Sequence, residues 1–126
     1  MTTVLIADDS AIVRKLLRKR LETILRGYHA TVIDAADGEA ALNSLLNDEV
    51  HLALLDFNMP KLNGVQVIER FKAANTGKKP YLFMVTTEAS SEIVMKAIQA
   101  GAHNYLVKNK LDTAFDDKVR KVLLGA

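Results

Sequence analysis

The chain has 126 residues, 49% of them apolar, which suits one domain of residues 1–126 around a single core, with no effector domain expected. Seventeen basic against 15 acidic side chains leave a net charge of +2, short of the basic excess of a nucleic-acid reader, and the absence of cysteine excludes a disulfide framework and any thiolate metal site. No apolar stretch nears the roughly 20 residues of a membrane span, and no apolar block follows a basic N-terminus, so a cytoplasmic chain with no membrane insertion is expected.

Thr3–Ala7 is a short apolar, β-branched run that ends in Asp8-Asp9-Ser10, a first strand delivering two acids to its tip. Ser10 or Asp9 can cap the next helix, where Ile12, Val13, Leu16, Leu17, Leu21, Ile24 and Leu25 recur at helical spacing before Gly27. The basic residues Arg14, Lys15, Arg18, Lys19, Arg20 and Arg26 in this segment read as a solvated face. Thr31-Val32-Ile33 is a second strand, and Asp37-Gly38 opens a second helix through Leu46 that stops near Asn47-Asp48. Leu52–Asp56 is a fully apolar run ending in a carboxylate, followed by Phe57-Asn58-Met59-Pro60, and a proline excludes further strand pairing there. A helix carrying Val65, Val67, Ile68 and Phe71 follows, then a turn through Asn75–Pro80. Tyr81–Val85 is the fourth strand and finishes at Thr86-Thr87-Glu88. Ser90 or Ser91 caps a helix with Ile93, Val94, Ala97 and Ile98 that Gly101 closes. Tyr105–Val107 is the fifth strand, ending at Lys108. A last helix covers about Asp112 to Leu124 with Phe115, Val119, Val122 and Leu123 inward. Met59, Met84 and Met95 are read as packing, and His29, His51 and His103 as surface residues.

Five strands alternating with five helices predict a parallel α/β sheet covered on both faces by right-handed crossovers. The carboxyl ends of its strands lie along one edge, where such folds bind ligands, and Asp8, Asp9, Asp56, Thr86 and Lys108 all fall there. Carboxylates from adjacent strands, about 4.8 Å apart, repel one another unless a cation joins them. Hard Mg2+ prefers such oxygen donors and commonly serves phosphoryl chemistry, while a lysine and a threonine hydroxyl suit phosphate oxygens. A single acid at a strand end is more often a helix cap. The same four-strand convergence is not explained by capping.

Asp8-Asp9-Ser10, Asp56-Phe57-Asn58-Met59-Pro60 with Gly64, Val85-Thr86-Thr87-Glu88-Ala89, and Ala100-Gly101-Ala102 leading to Tyr105 and Lys108 resemble a response-regulator receiver domain of the single-domain chemotaxis type, over essentially the whole chain. The resemblance implies a flavodoxin-like, doubly wound fold with strand order 2-1-3-4-5 and a monomer. It implies that Asp56 accepts a phosphoryl group from a histidine kinase, and that Asp9, Asp56 and the backbone carbonyl of Asn58 ligate Mg2+ while Asp8 holds a metal-bound water. Lys108 and Thr86 then contact the phosphoryl oxygens, Asn58 and Glu88 tune self-dephosphorylation, and Thr86 with Tyr105 forms a switch. The output surface implied is the fourth helix, fifth strand and fifth helix, with Lys96, His103, Asn104, Lys118, Arg120 and Lys121. Implied partners are the kinase, a phosphatase and a downstream target such as the flagellar motor switch. A stand-alone receiver that relays phosphate or regulates a partner enzyme is the alternative. An aspartyl phosphohydrolase is a different class, but Asn58 stands where its general acid would be. One departure is Lys108-Asn109 where the family has Lys-Pro. A cis bond to a non-proline residue costs about 2.5–4 kcal/mol, so a trans bond is predicted.

Overall fold

The computed structural model describes residues 2–87 and 90–125. Five strands alternate with five helices: β1 (Thr2–Ala7), α1 (Ala11–Ile24), β2 (Ala30–Ala35), α2 (Gly38–Asn47), β3 (Leu52–Leu55), α3 (Gly64–Ala74), β4 (Tyr81–Thr86), α4 (Ser91–Ala100), β5 (Asn104–Val107) and α5 (Thr113–Leu124), with a 3-10 turn over Lys108–Lys110. The strands form one parallel sheet in the order β2-β1-β3-β4-β5, the expected flavodoxin-like arrangement. At the carboxyl edge β3 stops one residue short of Asp56, β4 runs one residue further than expected, through Thr86, and β2 runs on to Ala35; at the other edge β5 starts one residue early, at Asn104.

Side chains alternate across each strand, so the sheet divides its apolar residues between two cores. Leu5, Ala53, Leu55, Leu82 and Met84 pack with α2, α3 and α4. Val4, Ile6, Leu52, Leu54, Phe83 and Val85 pack with Leu17, Leu21 and Ile24 of α1 and Phe115 and Val119 of α5. Side chains cap the helices where the sequence offers them. Ser10 accepts from Val13 N at 3.3 Å, Asp37 from Ala40 N at 2.8 Å, Ser90 from Ile93 N at 3.3 Å and Asp112 from Ala114 N at 3.0 Å. Asn63 and Gln66 form a reciprocal capping box at the start of α3.

Some apolar residues assigned inward by periodicity are outside. Ile12 and Leu16 on α1 and Ile98 on α4 are exposed, because each helix has one contact face and its apolar residues span a wider arc. Met95, read as packing, is exposed too, whereas Met84 is buried and Met59 packs against the α2–α3–α4 core. The basic face of α1 is only partly solvated. Arg14 and Arg18 both pair with Asp34, and Arg20 binds Asp116 at 2.7 and 3.2 Å with its guanidinium 5.9 Å from the Phe115 ring. His29, His51 and His103 are at the surface as expected. Two of them also complete the backbone: His51 Nδ1 accepts from Thr3 N, and His103 Nδ1 from Leu82 N, each at 3.0 Å.

The loop from β3 to α3 is pinned to the start of α2. Gly38 N donates to Pro60 O at 3.1 Å, and a Cβ on Gly38 would lie 2.0 Å from Leu62 O, so only glycine permits this approach. Within the loop Leu62 N donates to Pro60 O at 2.8 Å across Lys61, whose φ is 72°. A three-residue turn of this hand is strained for a side chain with a Cβ. Lys61→Gly is therefore expected to stabilise the fold by about 0.5–1 kcal/mol, relief of the strain outweighing the greater unfolded-chain entropy of glycine, read as a higher urea midpoint at unchanged slope. The pair of the exposed Lys61 with the half-buried Asp37, long at 3.7 Å, contributes too little to reverse the sign.

Candidate metal and phosphoryl site

The register of the sheet assembles the site. Ala7 pairs with Leu55, and the next residues, Asp8 and Asp56, continue side by side, with Asp56 N donating to Ala7 O at 2.9 Å. Counting by twos, Asp8 follows Val4 and Ile6, Asp56 follows Leu52 and Leu54, and Lys108 follows Leu106. All three therefore point toward the α1–α5 side of the sheet. This parity lets Lys108 reach the two carboxylates from β5, two strands away from Asp56. Its Nζ lies 2.6 Å from Asp8 Oδ2 and 2.9 Å from Asp56 Oδ2.

Asp8 is fully buried and Asp56 is 5% exposed, while the Lys108 side chain keeps 17% of its surface. Asp9 is exposed. Carboxylate oxygens of Asp8, Asp9 and Asp56 nonetheless lie within 4.8 Å of one another, and this is the single acidic group able to hold a metal among the described residues. Burial raises the Asp8 pKa above the usual carboxylate value, and the charge of Asp56 adds to that. The Lys108 ammonium and the Ser10 N–H, 2.8 Å from Asp8 Oδ1, only partly offset it. Burial also works against the charge on Lys108, but its bonds to Asp8 and Asp56 outweigh this and hold its pKa above that of a free lysine.

Thr86, the last residue of β4, is fully buried. It has the parity of Leu82 and Met84 and so faces the α2–α3–α4 core, to which Tyr105 also contributes. Tyr105 pairs with Met84 and Val107 with Thr86, which makes Thr86 and Tyr105 diagonal neighbours on one face. Tyr105 is half-buried there. Asn58 is exposed on the loop after Asp56. Gly64 N closes that loop on Phe57 O at 2.9 Å, and a Cβ at Gly64 would be 2.4 Å from Asp56 O. The described peptide bonds are all trans, Lys108–Asn109 among them as predicted. Glu88 lies outside the described residues.

Two neighbours of the site escaped the sequence reading. Ser10 serves Asp8 as well as capping α1, and Arg14 donates to the Asp8 carbonyl at 2.7 Å. Helical spacing carried a signal for the second: Arg14 stands three and seven residues before the buried Leu17 and Leu21, on the side of α1 turned to the sheet.

A doubly wound parallel sheet with clustered acids, a lysine and a threonine at its carboxyl edge defines a class of protein that can hold a cation and an anion together. The model of the response regulator receiver domain matches residues 4–120, and the chain belongs to that family. It is similar to the chemotaxis protein CheY homolog of Campylobacter jejuni, 32% identical over 120 residues that cover 94% of this chain and 90% of that one. The chemotaxis protein CheY1 of Helicobacter pylori is also 32% identical, with 94% of both chains covered. Among solved structures, chemotaxis protein CheY4 of Vibrio cholerae superposes with a TM-score of 0.80 at 28% identity, covering 98% of this chain and 99% of that one. This is a receiver of the two-component type rather than a classical enzyme, and none of its described helices is long and apolar enough to cross a membrane.

Proposed function

We propose that Asp56 takes a phosphoryl group from a histidine kinase, with Mg2+, and that the acyl phosphate changes the affinity of this receiver for a target of the chemotaxis type. The observation that carries this reading is the convergence of three carboxylates within 4.8 Å beside a lysine that contacts two of them. One ammonium cannot balance three carboxylates, and the donor set is all oxygen, which fits Mg2+. Asp8, Asp9 and Asp56, with the backbone carbonyl of Asn58, would hold it. When bound, the ion supplies positive charge that draws phosphoryl oxygens toward Asp56.

An Asp56 carboxylate oxygen forms the new O–P bond as the P–N bond to the donor imidazole breaks. That electron pair stays on the imidazole nitrogen, which then takes up a proton. Lys108 Nζ, already 2.9 Å from Asp56 Oδ2, follows the negative charge onto the phosphoryl oxygens, and the Thr86 hydroxyl donates to one of them. Movement of Thr86 frees space on the face it shares with Tyr105, and the ring turns into it. This biases the surface of α4, β5 and α5, where Met95 and Ile98 are exposed apolar groups and Lys96, His103 and Lys121 are exposed polar ones. Asn58 and Glu88 tune hydrolysis. The names of the relatives support a role in chemotaxis; the proposed target is the flagellar switch that the resemblance implies, and it must bind the phosphorylated and resting states unequally.

Incubation with acetyl phosphate and Mg2+ is expected to add one phosphoryl group to the wild type, seen by intact mass, and none to Asp56→Asn or to wild type in a chelator. Equal labelling of the two proteins would overturn the assignment. Binding of a flagellar-switch peptide, with and without phosphorylation, tests the target.

A further inference from the structure

Arg14 belongs to the basic cluster of α1, yet its side chain is only 18% exposed and its Nε is buried. Nη1 donates to Asp8 O at 2.7 Å and Nε lies 3.4 Å from Asp34 Oδ2 on the edge strand β2. Arg18, one turn on, grips the same carboxylate. Asp34 is itself in register with Ile6, and Asp8 N donates to Ala35 O at 3.0 Å. Asp8 is thus held at its N–H by β2 and at its C=O by α1. That carbonyl belongs to the peptide joining Asp8 to Asp9. Asp8 and Asp56 are fixed by burial and by Lys108, whereas Asp9 is exposed, so the orientation of this peptide decides where its carboxylate stands.

We infer that Arg14 is a positioning residue for the cation site: anchored by Asp34, it fixes the Asp8–Asp9 peptide so that Asp9 meets Asp8 and Asp56. The inference rests on the proposed Mg2+ site. It is specific to a guanidinium, since one planar group spans the carbonyl and the carboxylate while a lysine ammonium reaches only one of them. Residues that orient metal ligands without touching the metal typically change affinity by about 10–100-fold, and a single peptide held at one end belongs at the low end of that range.

The test is Mg2+ titration by calorimetry on wild type, Arg14→Gln, Arg14→Lys and Asp34→Asn, with thermal melts of each protein free of divalent ions. Arg14→Gln is expected to weaken Mg2+ binding about tenfold, with Arg14→Lys only partly restoring it and Asp34→Asn weakening it about threefold. Each variant should shift the melt further in Mg2+ than in chelator, by the lost part of the Mg2+ stabilisation. Affinities of all three variants within twofold of wild type would overturn the role. Should Arg14→Gln not fold, Asp34→Asn and Arg14→Lys still decide it. A wild type that binds no Mg2+ would overturn the site reading itself, whereas equal binding by wild type and variants would overturn only the role of Arg14.

Discussion

Lys108→Met is expected to lose about 2–3 kcal/mol of stability at neutral pH without divalent cations, and to regain most of it when Mg2+ is added. Breaking a buried ion pair by removing one partner generally costs about 3–5 kcal/mol, and the residual exposure of Lys108 places it below that. The variant leaves two adjacent carboxylates, one fully buried, with no ammonium. Acid should relieve the buried Asp8. Burial already raises the Asp8 pKa, so its favourable contribution is complete below its unfolded value of 3.8 and is lost as pH rises through the higher folded value. Removing Lys108 moves that folded value up further, and the deficit of the variant should shrink as pH falls toward 4. On the alkaline side the sign is the same but the group is Lys108. The raised pKa of Lys108 gives stability that is complete below 10.5 and lost as pH rises through the folded value, a loss only the wild type can show. With no ammonium competing for Asp8 and Asp56, Mg2+ should bind the variant at least as tightly, while phosphoryl uptake from acetyl phosphate falls. Urea melts with and without Mg2+ across this pH range check the stability claims. A deficit that persists in both Mg2+ and acid would mean that Lys108 contributes by packing and not by charge.

Gly64→Ala is expected to cost about 2–3 kcal/mol and to slow phosphorylation in whatever protein folds. The methyl group would sit 2.4 Å from Asp56 O and 2.8 Å from Met84 Cε. The methionine end can move. The Asp56 carbonyl cannot do so without shifting the residue whose N–H is bound to Ala7 O and whose carboxylate meets Lys108. An urea midpoint fall of this size, together with slower phosphoryl uptake at saturating Mg2+, is the expected pair of results. Loss of stability with an unchanged rate would separate the α3 contact from the position of Asp56.

The alternation of strand and helix, the helix starts at Ser10, Asp37 and Ser90, and the acids at the ends of β1 and β3 were legible in the residues themselves. Each depends on local spacing, on a turn of helix or the two-residue repeat of a strand, and needs no knowledge of what lies across the sheet. Thr86 and Lys108 were legible at the ends of β4 and β5 in the same way, and the family motifs added the switch role of Tyr105. Helical periodicity misplaced Ile12, Leu16 and Ile98, because it counts apolar residues and cannot measure how wide the contact face is. The same blindness put Arg14 in a solvated stripe. Its partners are a backbone carbonyl at Asp8 and a side chain on β2 at Asp34, and neither leaves a mark in local sequence.

What tertiary structure alone decided was which charges meet. Register placed Asp8 beside Asp56, parity aimed Lys108 at both, and close backbone approaches demanded glycine at positions 38 and 64. These depend on strand order and on distances between elements far apart in the chain. The sequence by itself determined the elements and the chemical types at their ends, since both follow from local sterics and hydrophobic spacing. The balance of one ammonium against buried acids, on which the proposed Mg2+ site turns, exists only once the sheet has closed.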